Sequence, residues 1–524
     1  MAIDAIRLRN FMAFEDTKWI ELRPITLLFG RNSSGKSAVF RALRLLKQSL
    51  SVPEDDNPFL FETEYGVDLG SFSDIMNYAS DSEHVWFHFR CASAEMEDLL
   101  KKYNVNSNNS QNSVDNSLEF VLGYSPHQQE NGKSDKSRIE LADLQIRLQN
   151  SMLKSDRLLF QMGMLKADDI QLYGEDWYAA GELTHLSDAG AWAGMGCGLK
   201  GSFLPNLVKP NTETIGYQCV RELIDCFNKE LTFFLRNLVY IGPIRPEPQR
   251  RYSFDRETAI SWRKRDLGIF LDYIGGKLPD IKEDVNKWMQ RLKLGEGADP
   301  HPVTSQESMN REYEIGIQEN GARRPLPLSA SGFGASQVLP IVVQCLKLNS
   351  ESILLVEQPE LHLHPSAQAT LGDLFIETYQ RDFWRNWLEA CEIAMKRGSQ
   401  KPPVPSHEDL VRSAPRLFIE THSEHLLLRL RRRVAESKAR LNSKKKEKKC
   451  EQQYDSLTSQ ILPEDLRVYF VSREKELTSH IAQIGVDENG EMDLSYASPQ
   501  IDDFFADDLI EISAIVDASL RSEK

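Results

Sequence analysis

Several features are missing from this 524-residue chain, and each absence excludes a class of protein. No apolar run approaches the roughly eighteen residues that span a bilayer, so no membrane segment is expected. The N-terminal MAIDAIRLRNF has neither a basic leader nor a long apolar stretch, which argues against a signal peptide. The seven cysteines have no C-x-x-C spacing. That excludes a disulfide framework and a Cys-rich zinc site, and it points to a reducing compartment. A cytoplasmic protein is therefore expected. No fixed-period repeat and no sustained heptad pattern is present, which excludes a solenoid and a long coiled coil.

What is present is the composition of a globular protein, 41% hydrophobic and 27% charged, long enough for two to four domains. The net charge of -15 argues against a uniformly basic nucleic-acid-coating protein. Charge is unevenly placed. From Arg429 to Lys449 there are eleven Lys/Arg against two Asp/Glu, whereas residues 487 to 512 hold nine Asp/Glu and no Lys or Arg. The 429–449 stretch is a candidate nucleic-acid-binding face; a solvated basic helix is the alternative.

The chain opens with two predicted strands, AIRLRNF and KWIELRPITLLFG, the second leading through a Gly-rich loop into a helix. Residues 104–117 are almost free of apolar side chains and, with the polar stretch 125–137, are expected to be mobile tips of an insertion. IELADLQIRLQN reads as a strand, VRELIDCFNKELTFFLRNL as an amphipathic helix, and VDENGEMD as a hairpin turn. From Tyr313 onward strands and helices alternate, which predicts an α/β core. The division expected is 1–90 for an N-terminal half, 91–237 for a globular α+β insertion, 238–430 for a C-terminal half, and 431–524 for a C-terminal extension.

The stretch GRNSSGKS, Gly30 to Ser37, matches G-x-x-x-x-G-K-[ST] between a strand and a helix, the context that a phosphate loop requires. Gly30 and Gly35 let the backbone curl, so that N–H groups through Asn32, Ser33, Ser34 and on to Ala38 face phosphate oxygens. Lys36 reaches the β/γ-phosphates and the Ser37 hydroxyl ligates magnesium. ATP with Mg2+ is the expected ligand pair. Further on, Ser331, Gly332 and Gly334 stand at the start of an apolar helix, a second anion-binding geometry, with a tight turn plus helix cap as the plain alternative. About twenty residues later, ILLVEQPELHLHP ends a buried strand in acids.

The set GRNSSGKS, SGFGASQVLP, EQPELHLHP and FIETHSEHLLLRL resembles the ABC-type ATPase superfamily, in the branch holding DNA-repair ATPases and the overcoming-lysogenization-defect (OLD) family. YIGPIRPEPQRRYSF resembles a segment of the OLD-like group. The resemblance implies an ABC-type P-loop ATPase head with a mixed sheet, split by the insertion. It assigns Glu357 to the Walker B acid near the metal, Gln358 to the position of the catalytic Glu, and His422 to the switch histidine at the γ-phosphate. His364 falls in the turn that crosses the interface of a head-to-tail dimer, in which Ser331, Gly332 and Gly334 would face the other subunit's γ-phosphate. Gln358 departs from the pattern. It can orient a water but cannot take its proton, and general-base catalysis is typically worth ~10²–10⁴-fold. Slow hydrolysis is expected, with Glu360 as the one nearby acid that could substitute.

OLD-family nucleases append a Toprim domain; after His422 no convincing acidic pair for one is found, nor is an HNH-like, H-E-x-x-H or G-x-S-x-G set. An OLD-like ATPase without Toprim resembles the ATPase of the Septu antiphage system, also found with retrons and paired with a separate HNH-type nuclease. The function implied is a regulatory ATPase scaffold of an antiphage complex, controlling a separate nuclease. The alternative is a DNA-repair or recombination ATPase that binds DNA directly.

Overall fold

The computed structural model describes residues 2–51, 57–103, 105, 116–128, 134–150, 155–164, 177–180, 197–199, 203–207, 214–254, 256–303, 312–319, 321–397, 406–442, 460–473 and 478–493. Strand β1 (Ile3–Phe11) pairs antiparallel with β2 (Phe14–Asp16) and β3 (Ile20–Glu21). The sequence predicts one strand on to Gly30, but the chain breaks at Pro24, which has no N–H for a ladder. Thr26 Oγ1 accepts from Arg23 N at 3.0 Å and donates to Glu21 O at 3.2 Å, closing the turn. The chain then enters a different sheet as β4 (Ile25–Phe29), all five residues buried. Helix α1 (Lys36–Ser49) follows the phosphate loop.

Strand β5 (Val85–Cys91) returns to β1 and pairs on its other edge with β6 (Asn116–Gln128). Beyond it lie β7 (Ser134–Asn150), β8 (Ser155–Met164) and β9 (Trp177–Ala180), giving one antiparallel sheet in the order β2-β1-β5-β6-β7-β8-β9. The strands at 116–180 thus extend the sheet begun by residue 3. The expectation of mobile tips is corrected where residues are described: 125–128 and 134–137 lie in the paired ends of β6 and β7, with His127 opposite Asp135 and Gln128 opposite Ser134. Low hydrophobicity misled the reading there, because ladder hydrogen bonds hold a polar hairpin arm that needs no core of its own. Residues 106–115 and 129–133 lie outside the described residues.

Helix α2 (Ile215–Arg236) leads into β10 (Leu238–Ile241). Next come α3 (Phe333–Lys347), β11 (Ile353–Glu357), α4 (Pro365–Lys396), β12 (Arg416–Thr421), α5 (Glu424–Asn442), β13 (Leu466–Arg473), β14 (Ser479–Val486) and β15 (Met492–Asp493). The second sheet runs β10-β11-β12-β4-β13-β14-β15. Its first five strands are parallel and the last two antiparallel, so the sheet is mixed, as expected. Strand 312–318 joins a small separate antiparallel sheet with 252–253, 297–302 and 326–327.

Alternation along the parallel strands divides the core into two layers. Leu28, Ile353, Leu355 and Phe418 face a core shared with α1, α2 and the antiparallel sheet. Ile25, Leu27, Leu354, Val356, Leu417 and Ile419 face the core under α3, α4 and α5. Among the described residues, no helix is long and apolar enough to cross a membrane, and Cys91, Cys219, Cys226, Cys345 and Cys391 are free and buried.

Candidate functional site

Parallel strands open their carboxyl ends onto a crevice, where α/β sheets bind ligands. Here that crevice holds the phosphate loop. Gly30 (φ 148°) and Gly35 (φ 96°) adopt backbone angles that side chains resist. Space excludes a side chain as well, since a Cβ on Gly30 would lie 2.2 Å from the Val471 carbonyl oxygen of β13. Lys36 is buried and donates from Nζ to Gly30 O at 2.9 Å and Arg31 O at 2.6 Å. Burial lowers its pKa to about 8, opposed by the charges of Glu420 and Glu360. Asn32, Ser33, Ser34, Gly35, Ser37 and Ala38 line a cavity of about 350 Å³ together with Lys36. The buried Ser34 Oγ has no hydrogen-bond partner, as befits a donor kept for a ligand.

Strand register brings the acids to the same crevice. Glu357 at the end of β11 pairs with Glu420 of β12, which pairs with Leu28 of β4. Leu28 and Leu355 face α1, so alternation turns both carboxylates toward that helix. Ser37 Oγ at its N-terminus donates to Glu420 Oε1 at 3.1 Å. Tyr240 OH, from β10, donates to Glu357 Oε1 at 3.0 Å, and the Arg44 guanidinium lies 3.8 Å from the Tyr240 ring centre. Burial raises the Glu357 pKa. It also raises that of Glu420, to about 7, helped by the Glu357 charge.

Gln358 lines the cavity, in a left-handed conformation (φ 46°). Its N–H donates to Glu420 O at 2.8 Å. The buried Arg245, from the GPIRPEP segment, donates from Nη2 to Glu357 O at 3.0 Å and Gln358 O at 3.2 Å. Burial lowers the Arg245 pKa to about 10. Glu360 is turned elsewhere: its two oxygens accept from Thr421 Oγ1 at 2.9 Å and His422 N at 2.7 Å. His422 lines the cavity. Burial and the nearby Lys36 charge lower its pKa to about 4, against a hydrogen bond with the Gly30 backbone, so the imidazole is neutral near pH 7.

Ser331, Gly332 and Gly334 lie outside the lining of the phosphate-loop cavity. Ser331 Oγ donates to Leu328 O at 2.9 Å, and Gly332 (φ 82°) caps α3. Phe333, 61% exposed, sits 5.6 Å from the His362 ring, which joins this turn to the turn after β11. His364 caps α4, its Nδ1 accepting from Ser366 N at 3.3 Å.

The basic stretch is largely committed to internal contacts where it is described. Arg429 and Arg433 both pair with Asp373, Arg432 with Glu436, and Lys438 with Glu488. Arg431 donates to Gly490 O at 2.8 Å. Ion pairs and hydrogen bonds to α4, within α5 and to the hairpin near Gly490 thus engage these cations. Residues 443–449 lie outside the described residues.

Sequence reasoning missed Glu420, Tyr240, Arg245 and Arg473, whose Nη1 donates to Ser33 O at 3.4 Å. A signal for Glu420 existed: one carboxylate inside the otherwise apolar end of RLFIETH. Among the described residues no three His, Cys, Asp or Glu form a ready metal cluster. The Ser37 hydroxyl and the paired carboxylates Glu357 and Glu420 nevertheless fit Mg2+, which takes one or two carboxylates and completes its shell with phosphates and water.

Two family models match parts of the chain. Residues 1–166 match a family model for an AAA ATPase domain. Residues 247–429 match one described as "AAA domain, putative AbiEii toxin, Type IV TA system". No curated protein matches the chain. Similar solved structures include an SMC head bound to the C-winged helix domain of ScpA, 10% identical with a TM-score of 0.39, covering 93% of this chain and 99% of that one. Another is the SMC head domain from Thermotoga maritima, 10% identical with a TM-score of 0.32, covering 93% and 100%. The Smc head with an extended coiled coil, bound to the C-terminal domain of ScpA derived from Pyrococcus furiosus, is 9% identical with a TM-score of 0.35, covering 92% and 96%. The two family models fall on the phosphate-loop half and on the half with the acidic strand.

Proposed function

We propose that this chain binds ATP with Mg2+, hydrolyses it slowly, and uses the bound nucleotide as a clamp. The observation that carries the reading is the pairing of Gln358 and Glu360. At the general-base position the side chain on the cavity is an amide, and the nearest following acid has both oxygens engaged by Thr421 and His422. Lys36 releases the loop carbonyls it now holds and reaches for phosphate, while Ser34 and the loop N–H groups donate to the same anion. Ser37 and Glu357 are the residues the family resemblance assigns to the metal, which when bound neutralises charge between the β- and γ-phosphates. His422, neutral, is set to contact the γ-phosphate. Gln358 orients a water without taking its proton.

The biological setting we infer is a regulatory scaffold of a prokaryotic antiphage complex that controls a separate nuclease. Two features support it: the OLD-like and Septu-like motifs, and the putative toxin named in the description of the family matched by residues 247–429. Direct loading on DNA is the less favoured reading, because Arg429, Arg431, Arg432 and Arg433 of α5 are occupied. The test is a single-turnover ATP cleavage assay on the purified protein. We expect a rate below ~1 per second, under the common enzymatic range; tens per second would refute the clamp. In cells carrying the native gene neighbourhood, Lys36→Ala should abolish phage protection, and co-purification should bring down a nuclease subunit.

A further inference from the structure

The residue that best fits the metal is one that the motif pattern does not assign. We propose that Glu420, on the strand beside the Walker B strand, is the carboxylate that holds the divalent cation together with Ser37. The inference rests on the ATP-binding reading above and deepens it. Glu420 is 4% exposed, yet only one of its oxygens is engaged: Oε1 accepts from Ser37 Oγ at 3.1 Å, while the buried Oε2 has no hydrogen-bond partner. The residue nevertheless borders the cavity of the phosphate loop. A buried carboxylate oxygen without a donor is costly, and the site becomes reasonable once a cation occupies that direction.

Glu357 is placed differently. Its Oε1 is taken by Tyr240 OH at 3.0 Å, and it is absent from the cavity lining. Glu357 and Glu420 lie side by side in the sheet, so the cation would offset their mutual repulsion as well. Glu357 then acts one layer back, as a charge fixed by Tyr240, and Glu420 with Ser37 forms the protein side of the coordination shell.

The test measures metal binding and does not rely on turnover. The full chain, with AMP-PNP and Mn2+ in place of Mg2+, is titrated by electron paramagnetic resonance, which reads free Mn2+. Glu420→Gln should weaken Mn2+ in the nucleotide complex by ~10–100-fold, the scale of damage to metal-site partners. AMP-PNP binding in EDTA should hold or rise. Glu357→Gln should weaken Mn2+ less than Glu420→Gln. Glu420→Asp, which keeps the charge one methylene short, is measured in parallel and should fall between; it decides the matter if the Gln variant fails to fold. Wild-type Mn2+ affinity in the Glu420 variants, or a larger loss in Glu357→Gln, overturns the assignment while ATP binding stands. A wild-type chain that binds no AMP-PNP overturns both.

Discussion

In the proposed mechanism, Gln358 is where one atom decides the chemistry of the site. Its backbone is in the left-handed region, at a cost of roughly 1–2 kcal/mol for a residue with a side chain. The N–H to Glu420 O and the two Arg245 contacts hold it there. The side chain is therefore fixed on the cavity and exchanges well for its acid. Gln358→Glu is expected to raise single-turnover ATP cleavage by at least ~10-fold, and by up to the ~10²–10⁴-fold a general base supplies. Rapid-quench measurement of the two proteins checks it, and equal rates would place the slow step elsewhere. Much of this site was legible in the sequence, because phosphate binding demands fixed local spacing: GRNSSGKS names its own residues. Glu420, Tyr240 and Arg245 were not, because they reach the site through strand register and side-chain contacts spanning up to 383 positions in sequence. The orientation of Glu360 was not legible for a similar reason. Strand alternation ends at Pro359, and the turn beyond it aims the carboxylate at the backbone of His422.

Elements hold the site by pinning its strands from outside. The turn before β13 is an example. Asp465, 1% exposed, accepts from Tyr379 OH of α4 at 2.9 Å and from Leu462 N at 2.9 Å. His407, in the short helix that precedes β12, forms an ion pair with Asp465 at 2.9 Å. Contact with Asp465 raises the His407 pKa above its ordinary 6.5, so the fold binds a proton that the unfolded chain has released. Its contribution is full below pH 6.5 and is lost as pH rises through the folded-state value. His407→Gln should therefore lower the melting temperature more at pH 6 than at pH 8.5; an equal loss at both would remove the charged pair from the account. Element type was legible where periodicity was strong, as in α2 and the β11 strand. Element partnership was less so. Nothing local reveals that Pro24 transfers the chain between sheets, or that β13, from beyond residue 460, lies next to β4. Backbone pairing over such distances leaves no mark on the local pattern of hydrophobicity.

At the scale of the molecule, the proposed nucleotide site is divided between the phosphate loop and a turn that lies outside its cavity. The phosphate loop, Gln358 and His422 border the cavity, and the Ser331–Gly334 turn does not. That turn begins α3 with an open Gly332, where an added Cβ would meet nothing within 4 Å, and with the exposed Phe333 beside it. A helix N-terminus carrying free N–H groups suits the γ-phosphate held by a second copy. In a two-fold dimer each site then takes its phosphate loop from one subunit and its Ser-Gly turn from the other. This geometry makes a prediction that neither single variant can mimic. Lys36→Ala removes the phosphate contact, Ser331→Arg blocks the turn, and each protein alone should neither dimerise with ATP nor cleave it. An equal mixture should regain up to about one half of wild-type hydrolysis, because only mixed dimers form and each has one intact site of two. Light scattering after size exclusion should show the ATP-dependent dimer in the mixture, and phosphate release should report its activity. A mixture as inert as its components would mean that the site is complete within one chain.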